Sequence, residues 1–151
     1  MESSPCLYCC CIRSPFGAFL TLLYGLMAAP ASQPRNAMLG QTYAMSVSLA
    51  VSYAEFLPMW ARQSVATSVS ISGMVKLGII HPPAGAAAML FSTGQFGWLN
   101  MAFMLFANLL AICAATVINN MSNKRQYPNY WGFSSLYDLF SGSRENDQKK
   151  P

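Results

Sequence analysis

The stretch His81-Pro82-Pro83-Ala84-Gly85-Ala86 holds more chemistry than any other part of this sequence. Two consecutive prolines supply no backbone donors, and each disfavours helix at the residue before it. A helix arriving from the N-terminal side must stop near Ile80. Proline is welcome at the first position of a new helix, so Pro82 or Pro83 starts one. The amides of Ala84, Gly85 and Ala86 then fall in the first turn, where unpaired donors and the positive end of the macrodipole suit a small anion. With no bulky side chains there, a ligand can approach the backbone closely. His81 has two readings. An imidazole near neutrality can couple to a proton or gate a path, or it can bond a carbonyl freed by the break and hold the bend.

A related opening, Pro15-Phe16-Gly17-Ala18, lies 68 residues earlier. Its amides are read in the same way, with Gly17 leaving room for a ligand. Arg35 and Asn36 follow in Gln33-Pro34-Arg35-Asn36. Here Arg35 either anchors to lipid headgroups or offers its planar fork to an oxyanion such as nitrite or nitrate, and Asn36 caps the helix that follows. Ser64, Ser68, Ser72 and Lys76 recur every four residues and share a helix face; Gln41, Ser48, Ser52 and Glu55 form a second polar stripe. The serines either let helices approach closely or line a path. Lys76 is either a paired or wetted cation in the membrane or one that snorkels from the helix end.

Enzyme chemistry has little to stand on. One histidine and one carboxylate, Glu55, lie in the apolar part, with no nucleophile–base or metal-ligand spacing. No catalytic residue, metal site or cofactor is expected. The cysteines are odd in number, five, and four of them crowd the first eleven residues, which argues against a disulfide framework. The nine Lys and Arg residues form no basic stripe, so nucleic acid is not expected as a partner.

The elements that carry these residues are membrane segments. Residues of the AVILMFWYC set make up 54% of the 151-residue chain and charged residues 9%, against roughly 25% charged in soluble domains. Pro, Gly and polar punctuation divide the chain into apolar segments 16–29, 39–57, 63–80, 84–93 and 98–119. The second, third and fifth approach the roughly 20 residues a spanning helix needs; the first and fourth fall short. The expected fold is an all-α membrane protein, with about three full spanning helices and two short or broken ones. Residues 1–14 form a Cys-rich tail, 15–120 the transmembrane domain, and 121–151 an interfacial aromatic stretch (Tyr127, Tyr130, Trp131, Phe133) followed by a disordered polar tail. The paired Pro-x-Gly-Ala openings fit an inverted repeat whose first helix is missing, a pattern that points to a transporter site.

The motifs together resemble the integral membrane family named for its His-Pro-Pro motif. The resemblance rests on His81-Pro82-Pro83-Ala84-Gly85-Ala86, Phe16-Gly17-Ala18, Gln33-Pro34-Arg35-Asn36 and the paired Asn119-Asn120, in the same order and spacing over about residues 15 to 120. It implies a compact helical membrane protein. Plant and cyanobacterial members are associated with nitrite transport, in plants at the chloroplast envelope. The family has a further apolar helix before Phe-Gly-Ala, where this chain has only the Cys-rich 1–14, so the bundle is expected to lack it or to close against a second copy. The leading expectation is a transporter or channel for a small oxyanion, nitrite first. The site would be His81, Pro82, Pro83, Ala84, Gly85 and Ala86, with Arg35, Asn36, Lys76 and Gly17. The partners are the lipid bilayer, the anion and a possible second copy. The residence is the chloroplast envelope, or a plasma or other cell membrane. The alternative is a structural membrane subunit that packs with a partner or with itself and moves nothing.

Overall fold

In a computed structural model of the chain, residues 5–121 and 127–128 are described, with side chains from residue 15 onward. The described residues form five α-helices and no strand. They are α1 (Pro5–Gly25), α2 (Pro34–Ser52), α3 (Met59–Leu77), α4 (Pro82–Phe91) and α5 (Trp98–Asn120), with one 3-10 turn at Pro30–Ser32.

Proline sets most of the starts. Pro34 and Pro82 occupy the first helical position of α2 and α4, and Pro58 is the extended N-cap of α3. Each forgoes a backbone donor that a helix start leaves unpaired anyway. For this reason α2 begins at Pro34 rather than near Leu39, and α3 at Met59 rather than Gln63. Gly78 closes α3 in the left-handed region at φ 64°, its amide donating back to Met74 and Val75. The twin prolines then hold α4 to ten residues. At about 1.5 Å per residue it is roughly half a bilayer core long.

The structure departs from two expectations and supports another only in part. Helix α1 runs unbroken through Pro15, so residues 5–14 are helical rather than a tail and Phe16-Gly17-Ala18 is no helix start. The repeat therefore lacks its matching opening. Second, α5 is the one described helix both long and apolar enough to cross a membrane; α2 and α3 have 19 residues each but are interrupted by polar side chains. Third, Tyr127 is not in an interfacial belt: it is 1% exposed and packs with Phe19, Leu23 and Ile112. Tyr130, Trp131, Phe133 and the polar tail lie outside the described residues.

Small residues let the backbones close. Ala37, Ala44, Ala84, Ala88, Ala111 and Ala115 are all buried in the helix contacts. Lipid tails are as apolar as leucine, so burial alone gives helices little reason to associate, and close packing has to hold the bundle. At Gly40 a Cβ would stand 2.8 Å from His81 Cβ and 2.9 Å from the Ile79 carbonyl oxygen. Helix α2 touches α3, α4 and α5 and is the post around which the others are arranged.

Candidate functional site

His81 is fully buried and is the extended N-cap of α4. Its Nδ1 lies 2.8 Å from the Ala31 carbonyl oxygen. A carbonyl only accepts, so Nδ1 carries the proton and donates; in the neutral ring Nε2 is then a bare acceptor. Nε2 has no hydrogen-bond partner. The ring stands edge-on to Phe19 of α1, centroids 5.3 Å apart and planes at 78°. Three elements thus fix one imidazole: the 3-10 turn by a hydrogen bond, α1 by ring packing, and α2 by the close approach at Gly40.

Two amides lie near the same level. Gln41, fully buried, follows Gly40 on α2. One apolar cluster joins Ala37 to Ala111, Ile112 and Ala115, and a second joins Met45 to Met104. Gln41 is midway between Ala37 and Met45, and Asn108 is midway between Met104 and Ile112, so with α2 and α5 in contact the two amides lie at a similar height in the bundle. Neither side-chain nitrogen nor oxygen of either residue has a hydrogen-bond partner. With His81 Nε2, five buried polar atoms from three residues are unpartnered in the middle of the bundle. Each buried, unsatisfied polar group costs about 1–3 kcal/mol, and an apolar side chain would avoid that. The set offers two amide N–H₂ groups as donors, two amide oxygens as acceptors and one imidazole nitrogen that accepts when neutral and donates only once protonated.

The turn 26–33 covers this level from one end. Ser32 Oγ lies 2.7–3.1 Å from the carbonyl oxygens of Leu26, Met27 and Ala29, which share its single proton. Gln33 Nε2 donates to Met27 O at 2.8 Å, and Asn36 Nδ2 to Pro30 O at 2.9 Å. Tyr127 Oη donates to Ser32 O at 2.8 Å, and Asn120 bonds the Tyr127 backbone through both ends of its amide. Asn119 Nδ2 meanwhile donates to Leu23 O at 3.0 Å. The paired asparagines thus tie the end of α5 to α1 and to the Tyr127 strap over the turn.

The other expected site residues are placed as follows. Asn36 is in the first turn of α2 and braces Pro30, while the N-cap is Gln33. Arg35 is half-buried in the same turn, about 8 Å along the helix from Gly40. Ala84 N–H donates to His81 O at 3.0 Å, so this amide is spent on the bend rather than turned outward. Gly85 is buried, with its missing Cβ facing Ile71 at 3.6 Å; Pro83 is buried, while Pro82 and Ala86 are exposed. Lys76 is exposed on the outer face of α3, as are Ser64, Ser68 and Ser72; the inward face carries Ala66, Ser70 and Met74. Gly17 is exposed inside α1, with open space around it. Of the expected set, then, the fold brings His81, Pro83, Ala84 and Gly85 to the buried level and leaves Lys76, Gly17, Pro82 and Ala86 outside. Glu55 is exposed in the turn after α2, not within a helix. No group of three or more His, Cys, Asp or Glu that could hold a metal occurs among the described residues.

Sequence reasoning sets Gln41 on a polar stripe without a role and passes over Asn108. The available signal was a lone amide in the middle of an otherwise apolar segment, since polar groups at membrane depth are expensive to keep. The Ala31 carbonyl and the Tyr127 strap have no local signature.

An all-helical bundle that has one helix long and apolar enough to cross a membrane, and polar side chains buried inside, has the make-up of a helical membrane protein. Residues 7–128 match the family described as "HPP, transmembrane region", and the chain belongs to that family. It is 32% identical to one transmembrane protein of Dictyostelium discoideum over 77% of this chain and 44% of that protein. A second transmembrane protein of the same organism is 28% identical over 77% of this chain and 40% of the relative. The chain spans less than half the length of these relatives. No solved structure matches it.

Proposed function

We propose that this membrane protein is a transporter or channel for a small monovalent oxyanion, with nitrite the first solute to test. The observation that carries the reading is the level formed by His81, Gln41 and Asn108, whose five polar atoms have no partner in the protein. Amide N–H groups replace part of the hydration of the anion, and His81 Nε2, once protonated, supplies charge. The positive end of α4 adds to it, although Ala84 N–H is engaged with His81 O. Arg35, at the covered end, would meet the anion before or after this level. In this reading α2 and α3 cross together with α5: at 19 residues each they reach about 28 Å, close to the roughly 30 Å core of a bilayer. No catalytic step is assigned. Members of the family associated with nitrite make the chloroplast envelope the first residence to test.

The test is nitrite uptake by vesicles containing the purified full chain. Uptake by the wild type, cut severalfold in Gln41→Leu, Asn108→Leu and His81→Ala, is the expected result. Wild-type flux unchanged in all three variants would overturn the site. A second reading has one observation in its favour. The Ser64, Ser68, Ser72 face of α3 is exposed, and small hydroxyl-bearing faces let helices of separate chains approach. A subunit that packs through this face and moves nothing would show no nitrite flux in any variant.

A further inference from the structure

The opposite end of the bundle holds a pocket unrelated to the His81 level. The turn between α2 and α3 and the turn between α4 and α5 enclose about 500 Å³, lined by Ser52, Tyr53, Glu55, Arg62, Thr93 and Gln95 among others. That lies within the roughly 300–1,000 Å³ typical of small-molecule sites. Arg62 Nη1 donates to the Ser52 carbonyl at 3.0 Å, which ties the guanidinium to the end of α2 beside the pocket. A Cβ added to Gly94, which sits at φ 80°, would stand 3.7 Å from the same Nη1. Arg62 Nε is buried without a hydrogen-bond partner. Glu55 lines the same pocket, yet no ion pair joins it to Arg62. One fixed cation and one anion thus face a shared space without meeting across it.

The depth of this pocket in the bilayer is marked by aromatics. Tyr53, Phe56, Trp60 and Trp98 cluster on these turns and are between 52% and 86% exposed; the Trp98 indole N–H donates to Tyr53 Oη at 3.3 Å. Exposed Trp and Tyr rings collect where acyl chains give way to headgroups.

We propose that the pocket between the α2–α3 and α4–α5 turns seats the headgroup of a zwitterionic aminophospholipid, its phosphate on Arg62 and its ammonium on Glu55. A phosphate accepts two parallel N–H bonds from a guanidinium, and a primary ammonium has three donors for a carboxylate and nearby hydroxyls. An anionic lipid such as phosphatidylglycerol has the same phosphate for Arg62 but no cation for Glu55.

The test is lipid retention by the full chain, read by native mass spectrometry, with phosphatidylethanolamine and phosphatidylglycerol of identical acyl chains offered in equal amounts. The expected preference for phosphatidylethanolamine is about fivefold, or about 1 kcal/mol, the upper range for one partly exposed charge contact. Glu55→Gln removes the preference, and Glu55→Lys reverses it. Glu55 is exposed and bonds only through its backbone, so both variants keep the fold; Arg62→Gln lowers retention of both lipids. Equal retention by the wild type, or a preference that survives Glu55→Gln, overturns the proposal. Release of the bound lipid by millimolar free phosphoethanolamine would give the pocket to a soluble zwitterion and overturn it too. Nitrite flux plays no part in this readout.

Discussion

Leucine at position 41 or 108 separates packing from binding. Each amide brings two polar atoms into the bundle without a hydrogen-bond partner, at about 1–3 kcal/mol per group. Gln41→Leu and Asn108→Leu should therefore melt at higher temperature than the wild type while nitrite flux falls; a lower melting temperature would mean the amides are structural. Gly40→Ala should behave in the opposite sense. Its new Cβ would meet His81 Cβ at 2.8 Å and the Ile79 carbonyl at 2.9 Å, and neither neighbour is the loose end of a side chain. Overpacking of this kind costs typically about 1–3 kcal/mol, so a thermal melt should show a clear loss. An unchanged melting temperature would show that the α3–α4 bend can shift away from α2.

At the scale of elements, the covering turn depends on Tyr127. Its hydroxyl donates to Ser32 O from a buried position; Tyr127→Phe removes that bond and leaves the carbonyl short of a donor. Hydrogen exchange over residues 26–33 should accelerate and stability fall by about 1 kcal/mol. Burial pushes the Tyr127 phenol well above its ordinary value of 10.0. The sign follows: the neutral phenol is favoured by the fold, so this stability is full below about pH 10 and declines as pH rises past it. Tyr127→Phe should lack that alkaline component in a pH-dependent melt. Elements also show where sequence was readable. The break at Pro82-Pro83 was legible because two missing donors in succession end any helix. Pro15 looked similar and breaks nothing: a single proline costs about 3 kcal/mol, whereas opening a helix in lipid strands several polar groups at comparable cost each. The Ser64–Lys76 stripe was legible as a face but not as an outer one, because in a bilayer both faces of a helix can be apolar and polarity no longer marks the inside. The Gln41–Asn108 level depended on the α2–α5 register, which no local pattern encodes.

For the whole molecule, chain direction fixes the two ends. Ala37 and Met45 of α2 join α5 in antiparallel register, Ser70 of α3 reaches Ala44 of α2 at 3.4 Å while Met74 lies beside Gly40, and Asn119 of α5 bonds Leu23 of α1. The turn 26–33, the end of α3 and the end of α5 therefore lie at one end, and the Glu55 and Gly94 turns at the other. The start of α4 is recessed from the first end. Met45 and Leu49 of α2 share a cluster with Ala87 and Phe91 of α4, a parallel offset of 42 residues that sets Pro82 level with Gly40, about 9 Å inside the start of α2 at 1.5 Å per residue. If α2 crosses the bilayer as proposed, this depth puts the bend in the membrane interior rather than in a surface loop. If the bundle spans the bilayer as proposed, Leu26, which is 58% exposed, and Glu55 emerge on opposite sides. Single cysteines at these positions, Leu26→Cys and Glu55→Cys, in a background lacking the native cysteines, should react with a membrane-impermeant maleimide from opposite faces of oriented vesicles. Labelling of both from the same face would mean that α2 does not cross, and the His81 level would then have no route through the membrane to serve.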